Sequence, residues 1–334
     1  MSLSIFSSKE AWHFLRNLGI FLVFSIVLMS IVAFITRKTV IKTVTDRNYF
    51  KLPSDIDTVI LGDSYLMTGL IPEMRTGTLN GAMRAEILPF TCEKVRFVCD
   101  KNPQIKNVVI SLSYLSLTQE RIDSMRNLES VQYNSDSFFS LYDAQLKKIA
   151  FVMNAGYLIS WFKYTLGIPL EISKELGNFL RIILDKQHYE YYPFWGGFSK
   201  VPAMTDDLDL EKRISAHFDT TGGKVEMSNI LIDYFRNLNK YCNDKGIRLI
   251  TVNTPKIPVY DTLVPEGYKA ALMEIVREMK SKYSNFYYLD YTGLELDREY
   301  LRDADHLNYK GAKLFSKLFY EKMETIIEGE NNDN

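Results

Sequence analysis

A serine at 64, an aspartate at 303 and a histidine at 306 are the residue types that nucleophilic acyl transfer requires. Ser64 closes VILGDS, a β-branched and aliphatic run that ends abruptly in Gly62-Asp63-Ser64. A glycine there lets the chain turn sharply, leaving the hydroxyl exposed and the serine N–H free to face a substrate oxygen. A serine nucleophile needs a base, and neutral imidazole, with an ordinary pKa of about 6.5, is the usual one. The chain has four histidines. His13 borders a long apolar run, and His188 and His217 read as ordinary surface or core residues. His306 lies in YLRDADHLNYKGA, directly before the last expected helix. Asp303, three residues earlier, is spaced to accept from the second ring nitrogen and fix the tautomer. Asp305 competes for that role, but adjacent side chains usually diverge, so Asp303 is the expected orienting acid. Asp63, Asp303, Asp305 and His306 make a weak metal set, with a single imidazole among carboxylates. Neither a metal nor a cofactor is expected.

The elements that must position these residues alternate. DTVILGDS, NVVISLSYLS, IRLITVNTP and NFYYLDYT read as four buried strands, because continuous apolar runs suit parallel strands covered on both faces. Between and after them lie helix-like segments. ILPFTCEKVRFVCDKNP is the first. MSNILIDYFRNLNKYCNDKG puts Leu231, Phe235, Leu238 and Cys242 on one face and stops at Gly246. GYKAALMEIVREMKSKY turns Leu272, Ile275, Val276 and Met279 inward, and NYKGAKLFSKLFYEKMETII closes the series. Strands alternating with helices predict an α/β fold with a parallel sheet, whose chemistry sits beyond the strands' carboxyl ends. From about 120 to 226 the rhythm breaks into an aromatic, partly helical insertion. Its YYPFWGGF reads as a packed hinge or a sugar-stacking surface, and NTPKIPVY at 253–260 as a connector or a substrate-shaping loop.

Lys+Arg of 40 against Asp+Glu of 41 leave no field for nucleic acid, and three scattered cysteines make neither a disulfide framework nor a zinc site. Leu18 to Ile35 is free of charge and, as a helix, would span roughly 27 Å, close to the hydrocarbon thickness. Trp12 and His13 precede it, Arg37 and Lys38 follow it, and no A-x-A cleavage site is evident. The expected organisation is a tail at 1–17, a transmembrane anchor at 18–36 and a linker at 37–52. An α/β domain with its insertion then fills 53–326, followed by a disordered tail at 327–334. Basic residues are denser after the span than before it. That favours a cytoplasmic domain, although long domains cross membranes largely regardless of flanking charge.

Ser64 within GDS after the first strand, and Asp303-x-x-His306 before the last helix, resemble the first and last blocks of the SGNH (GDSL-type) hydrolase superfamily. With the N-terminal span, the chain is similar to the membrane-anchored branch that handles acyl groups of teichoic acids and exopolysaccharides. The resemblance covers about 55–125 and 227–322. It implies a three-layer α/β/α fold with a flavodoxin-like sheet and a Ser64–His306–Asp303 triad. It also implies a domain outside the bacterial cytoplasmic membrane, an acylated envelope glycan as substrate and a membrane-bound acyl donor protein as partner. The oxyanion hole would use the N–H groups of Ser64 and Gly81, with Asn80 beside them. The third block normally supplies an asparagine, whereas this strand ends ISLSYLS. Ser113, Tyr114 or Asn80 would then replace it. The expected function is a membrane-anchored esterase or O-acyltransferase. The alternative is a non-catalytic binding or assembly protein on the same fold.

Overall fold

The computed structural model describes residues 8–46, 51–124, 196–203, 210–218 and 225–332. The chain divides into two compact units, Met1–Tyr49 with Gly156–Tyr189, and Phe50–Ala155 with Glu190–Asn334. The described part of the first is a single helix, α1 (Ser8–Asp46). Its Phe21, Val23 and Phe24 are 64%, 63% and 64% exposed. The expected anchor falls within α1, though its side chains beyond Ile31 lie outside the described residues. Among the described residues no helix is long and apolar enough to cross a membrane. The expected linker is helical as far as Asp46, since no Gly or Pro interrupts it there.

The second unit is built on five parallel strands: β1 (Thr58–Leu61), β2 (Thr78–Asn80), β3 (Asn107–Ser111), β4 (Arg248–Asn253) and β5 (Phe286–Asp290). Their order is β2-β1-β3-β4-β5, the flavodoxin-like arrangement. Among the described residues the α-helices, in chain order, are α2 (Ser64–Gly69), α3 (Leu88–Lys101), α4 (Gln119–Asp123), α5 (Leu210–His217), α6 (Asn229–Asp244), α7 (Pro258–Leu263), α8 (Glu266–Lys282) and α9 (Tyr309–Asn332). The chain leaves β1 toward β2, then jumps back past β1 to β3 and continues that way. Right-handed crossovers therefore put α2 on one face and the later connecting helices on the other. Contacts agree: α3 packs on α6 and α6 on α8, while α9 packs on α2. Helices on both faces are consistent with a three-layer α/β/α arrangement.

Register explains the apolar runs. Ile60 lies beside Val109 and Val109 beside Ile250, and all three face the α2–α9 layer with Leu66, Leu70, Phe315 and Phe319. The face proposed from spacing on α6, Leu231, Phe235, Leu238 and Cys242, is wholly buried. One further boundary differs from expectation. The tail expected from residue 327 is helical to Asn332, because α9 meets no strong breaker before then. Most of the 120–226 insertion lies outside the described residues. Its described pieces are α4, the stretch Gly196–Ala203 and α5.

Candidate active site

Ser64 owes its position to β1, which runs between β2 and β3 where the strand order reverses. In open α/β sheets that reversal opens a crevice at the strands' carboxyl ends. Gly62, directly after β1, has φ 121, and a Cβ there would lie 2.8 Å from Ser111 Oγ. Only glycine meets both demands. Asp63 then caps α2, its carboxylate accepting the Tyr65 N–H at 3.1 Å. Burial pushes the Asp63 pKa up, against the nearby Arg121 guanidinium. Ser64 is the first residue of α2, so its N–H has no intrahelical acceptor.

His306 comes from a closed loop between β5 and α9. Leu301 and Leu307, both buried, pair as an antiparallel bridge, and the Arg302 N–H donates to the His306 carbonyl at 2.8 Å. The Asn308 amide donates to the carbonyls of Glu299 (2.7 Å) and Leu301 (3.0 Å). Its Oδ1 accepts from the Lys310 and Gly311 N–H groups at 2.9 and 3.0 Å, capping α9. Gly311 is required by closeness: a Cβ there would lie 2.1 Å from the Tyr300 carbonyl oxygen. Within this loop, Asp303 Oδ1 accepts the His306 backbone N–H at 2.9 Å and lies 2.8 Å from His306 Nδ1. On the other side of the ring, His306 Nε2 lies 2.8 Å from Ser64 Oγ. The structure thus brings Ser64, His306 and Asp303 into one hydrogen-bonded line.

The surroundings set the charge. Burial presses the His306 pKa down, but Asp303 and Asp305 outweigh it and raise it to about 9. Asp305 is fully buried, with Oδ1 3.2 Å from His306 Nδ1. Its Oδ1 accepts Arg213 Nη2 at 2.8 Å and Nε at 3.1 Å, and its Oδ2 accepts the Tyr65 hydroxyl at 2.7 Å. Burial raises the Asp305 pKa, yet the His306 hydrogen bond and the charges of His306 and Arg213 hold it well below the carboxylate range. Arg213 Nη2 also lies 3.3 Å from His306 Nδ1. Two donors cannot share one bond, and the shorter 2.8 Å approach of Asp303 assigns the proton to Nδ1. The Nε2 lone pair is then left for the serine hydroxyl.

Residues that sequence reasoning missed stand immediately behind this line. Tyr65 stacks on the His306 ring at 4.9 Å between centroids and 21° between planes. His217 Nδ1 lies 2.7 Å from the Tyr260 hydroxyl and 3.9 Å from Asp305 Oδ2. Burial lowers its pKa to about 4, so it is neutral at neutral pH. Arg213 and His217, four residues apart on α5, share a helix face, a signal present in LEKRISAH. The expected insertion therefore contributes to the site. His188 lies outside the described residues. Gly196–Val201, the described end of the YYPFWGGF region, runs beside α2: the Ser199 N–H donates to the Met67 carbonyl, and the Tyr309 N–H to Val201, at 2.8 and 3.0 Å.

The expected oxyanion donors are mostly engaged elsewhere. The Gly81 N–H donates to the Ile60 carbonyl at 2.8 Å, because Gly81 continues the β1–β2 ladder. The Asn80 amide donates to the carbonyls of Leu66 (3.0 Å) and Leu70 (2.8 Å), bracing the end of α2. Ser113 is buried in a turn, its N–H donating to Ser116 Oγ at 2.9 Å. Of Ser64, Gly81, Asn80 and Ser113, the N–H of Ser64 keeps its position for the role. Asp303, Asp305 and His306 offer ligand atoms within 4.8 Å of one another, enough for a cation by distance. Arg213 and Tyr65 hold both Asp305 oxygens, Ser64 lies on His306 Nε2, and Asp303 Oδ1 faces His306 Nδ1, so a cation bound through Asp305 Oδ1 would have to displace the guanidinium.

A family model without a stated function matches residues 224–328, a span that includes the Asp303–His306 loop but not Ser64. No curated protein matches the chain.

Proposed function

We propose that the chain is a serine esterase or O-acyltransferase of the SGNH (GDSL-type) hydrolase superfamily, acting on acyl esters, acetyl foremost, of a cell-envelope polysaccharide. The observation that carries the reading is the line Ser64–His306–Asp303, with two contacts of 2.8 Å at the carboxyl edge of a parallel sheet. Ser64 Oγ attacks the ester carbonyl while its proton passes to His306 Nε2. Asp303 accepts from Nδ1 and stabilises the imidazolium that forms. The Ser64 N–H, at the positive end of α2, faces the oxyanion. Collapse breaks the ester C–O bond, and His306 returns the proton to the leaving alkoxide. Water or a sugar hydroxyl then attacks the acyl-serine, losing its proton to His306, and Ser64 is regenerated.

The envelope setting rests on the resemblance and on the N-terminal apolar run, whose large side chains on α1 are exposed. Water solvates such surface poorly, which supports a lipid or protein cover. The domain would then face the periplasm or cell exterior, where such polymers and an acyl donor protein would be met. A second reading, a non-catalytic binding or assembly protein, is favoured by the engaged Gly81, Asn80 and Ser113 donors. Removing one oxyanion donor costs roughly 100- to 1,000-fold in rate.

A fluorophosphonate probe separates the two. The esterase reading expects labelling of the wild type and none of Ser64→Ala, whose thermal stability should be nearly unchanged because the hydroxyl serves chemistry more than packing. Labelling that survives in Ser64→Ala, or is absent from the wild type, would remove the esterase reading.

A further inference from the structure

We propose that Lys256, acting through Tyr65, is a positioning residue for His306, and the inference rests on the esterase reading above. Lys256 follows β4 and is 2% exposed. Its Nζ donates to Asn253 Oδ1 at 2.7 Å and to the Thr254 carbonyl at 3.1 Å. Among the described residues no carboxylate lies within ion-pair distance of it. Its third direction carries it over the Tyr65 ring, 5.3 Å from the centroid. The same ring stacks on His306 and sends its hydroxyl to Asp305. The backbone joins in, since the Ile257 N–H donates to the Ala304 carbonyl at 3.0 Å, inside the catalytic loop. An ammonium is costly to bury without a counter-ion, and an aliphatic side chain would fill that space more cheaply. A reason for the charge is therefore needed, and the phenol ring leads from it to the imidazole.

The groups around His306 are Ser64 and Tyr65 on α2, Asp63 before it with Arg121 3.8 Å from its carboxylate, Asp303 and Asp305 in its own loop, and Arg213 and His217 on α5. Three carboxylates favour the imidazolium. Arg213, 3.3 Å from Nδ1, opposes it directly, Arg121 offsets Asp63, and on this proposal Lys256 opposes it from behind Tyr65. Burial lowers the Lys256 pKa to about 8, against the more distant charges of Asp305, Asp290, Asp261 and Asp63, so it is charged at pH 7 and neutral well above 8. The two ring distances put the ammonium within about 10 Å of the imidazole, where a unit charge changes proton affinity by roughly tenfold.

The test compares fluorophosphonate labelling rates of wild type and Lys256→Met from pH 7 to 10. Lys256→Met should label roughly tenfold more slowly at pH 7 and converge on wild type near pH 10, where Lys256 has lost its own charge. Thermal unfolding is followed in parallel, and Lys256→Gln carries the same comparison if Lys256→Met does not fold. A deficit that is constant across pH, or no deficit, overturns the inference. Should the wild type fail to label, the esterase reading falls on its own. NMR titration of the His306 ring from pH 7 to 10 then decides: loss of the ring proton that begins at lower pH in the wild type than in Lys256→Met upholds the coupling, and coincident curves overturn it.

Discussion

His306 lies between two carboxylates, and the structure gives them different work. Asp303 orients the ring from within the loop, while Asp305 is fully buried and paired with Arg213 and the Tyr65 hydroxyl. Asp303→Asn should therefore lose far more labelling rate than Asp305→Asn, whose main cost is stability. Removing a buried charge that accepts from Tyr65 and Arg213 costs about 1–3 kcal/mol, and urea unfolding of both variants measures it. The reverse order in rates would reassign the orienting acid. The pH profile follows from the same group. His306 must be neutral to take the serine proton, and its pKa is raised from 6.5 to about 9. Labelling should rise with pH toward about 9 and then level off. Stability should move the opposite way. A raised imidazole pKa contributes stability that is complete below 6.5 and lost as pH passes about 9. A flat profile across that window would place the working base elsewhere.

Elements fix what the residues need. α2 begins at Ser64, α9 begins just after His306, and the two helices pack on each other against one face of the sheet. Gly311 allows α9 to reach the loop that carries Asp303 and His306. Gly311→Ala would drive a methyl to 2.1 Å from the Tyr300 carbonyl and 3.0 Å from Leu307 Cδ2. The expected cost is about 1–3 kcal/mol in unfolding free energy, as for other overpacked sites. A fall in labelling rate should accompany it, because the loop holding His306 must shift. Wild-type stability and rate in that variant would mean that the loop is not held from α9.

For the whole molecule, the proposed envelope setting predicts that the α/β unit works outside the membrane. Long domains cross regardless of flanking charge, and an envelope polymer lies outside. Protease added to spheroplasts should therefore digest residues beyond 50 while cytoplasmic markers survive. Digestion only after lysis would overturn both the topology and the substrate. The same scale separates what could be read from the chain and what could not. Four of the five strands were legible, because strands buried on both faces are continuous apolar runs such as Val59–Leu61. β2 was not, since Thr78–Asn80 is three residues long at a sheet edge and carries no period. Ser64, Asp303 and His306 were legible from their types and from their places at element ends. Sequence by itself determined the alternation of elements and those three residues, because both follow from short-range pattern. Only the tertiary structure decided that the Gly81 N–H goes to Ile60, that Asn80 braces α2, and that Arg213, Tyr65 and Lys256 gather behind His306. Those are contacts between segments far apart in the chain, where hydrogen-bond partners are settled by which groups burial brings together.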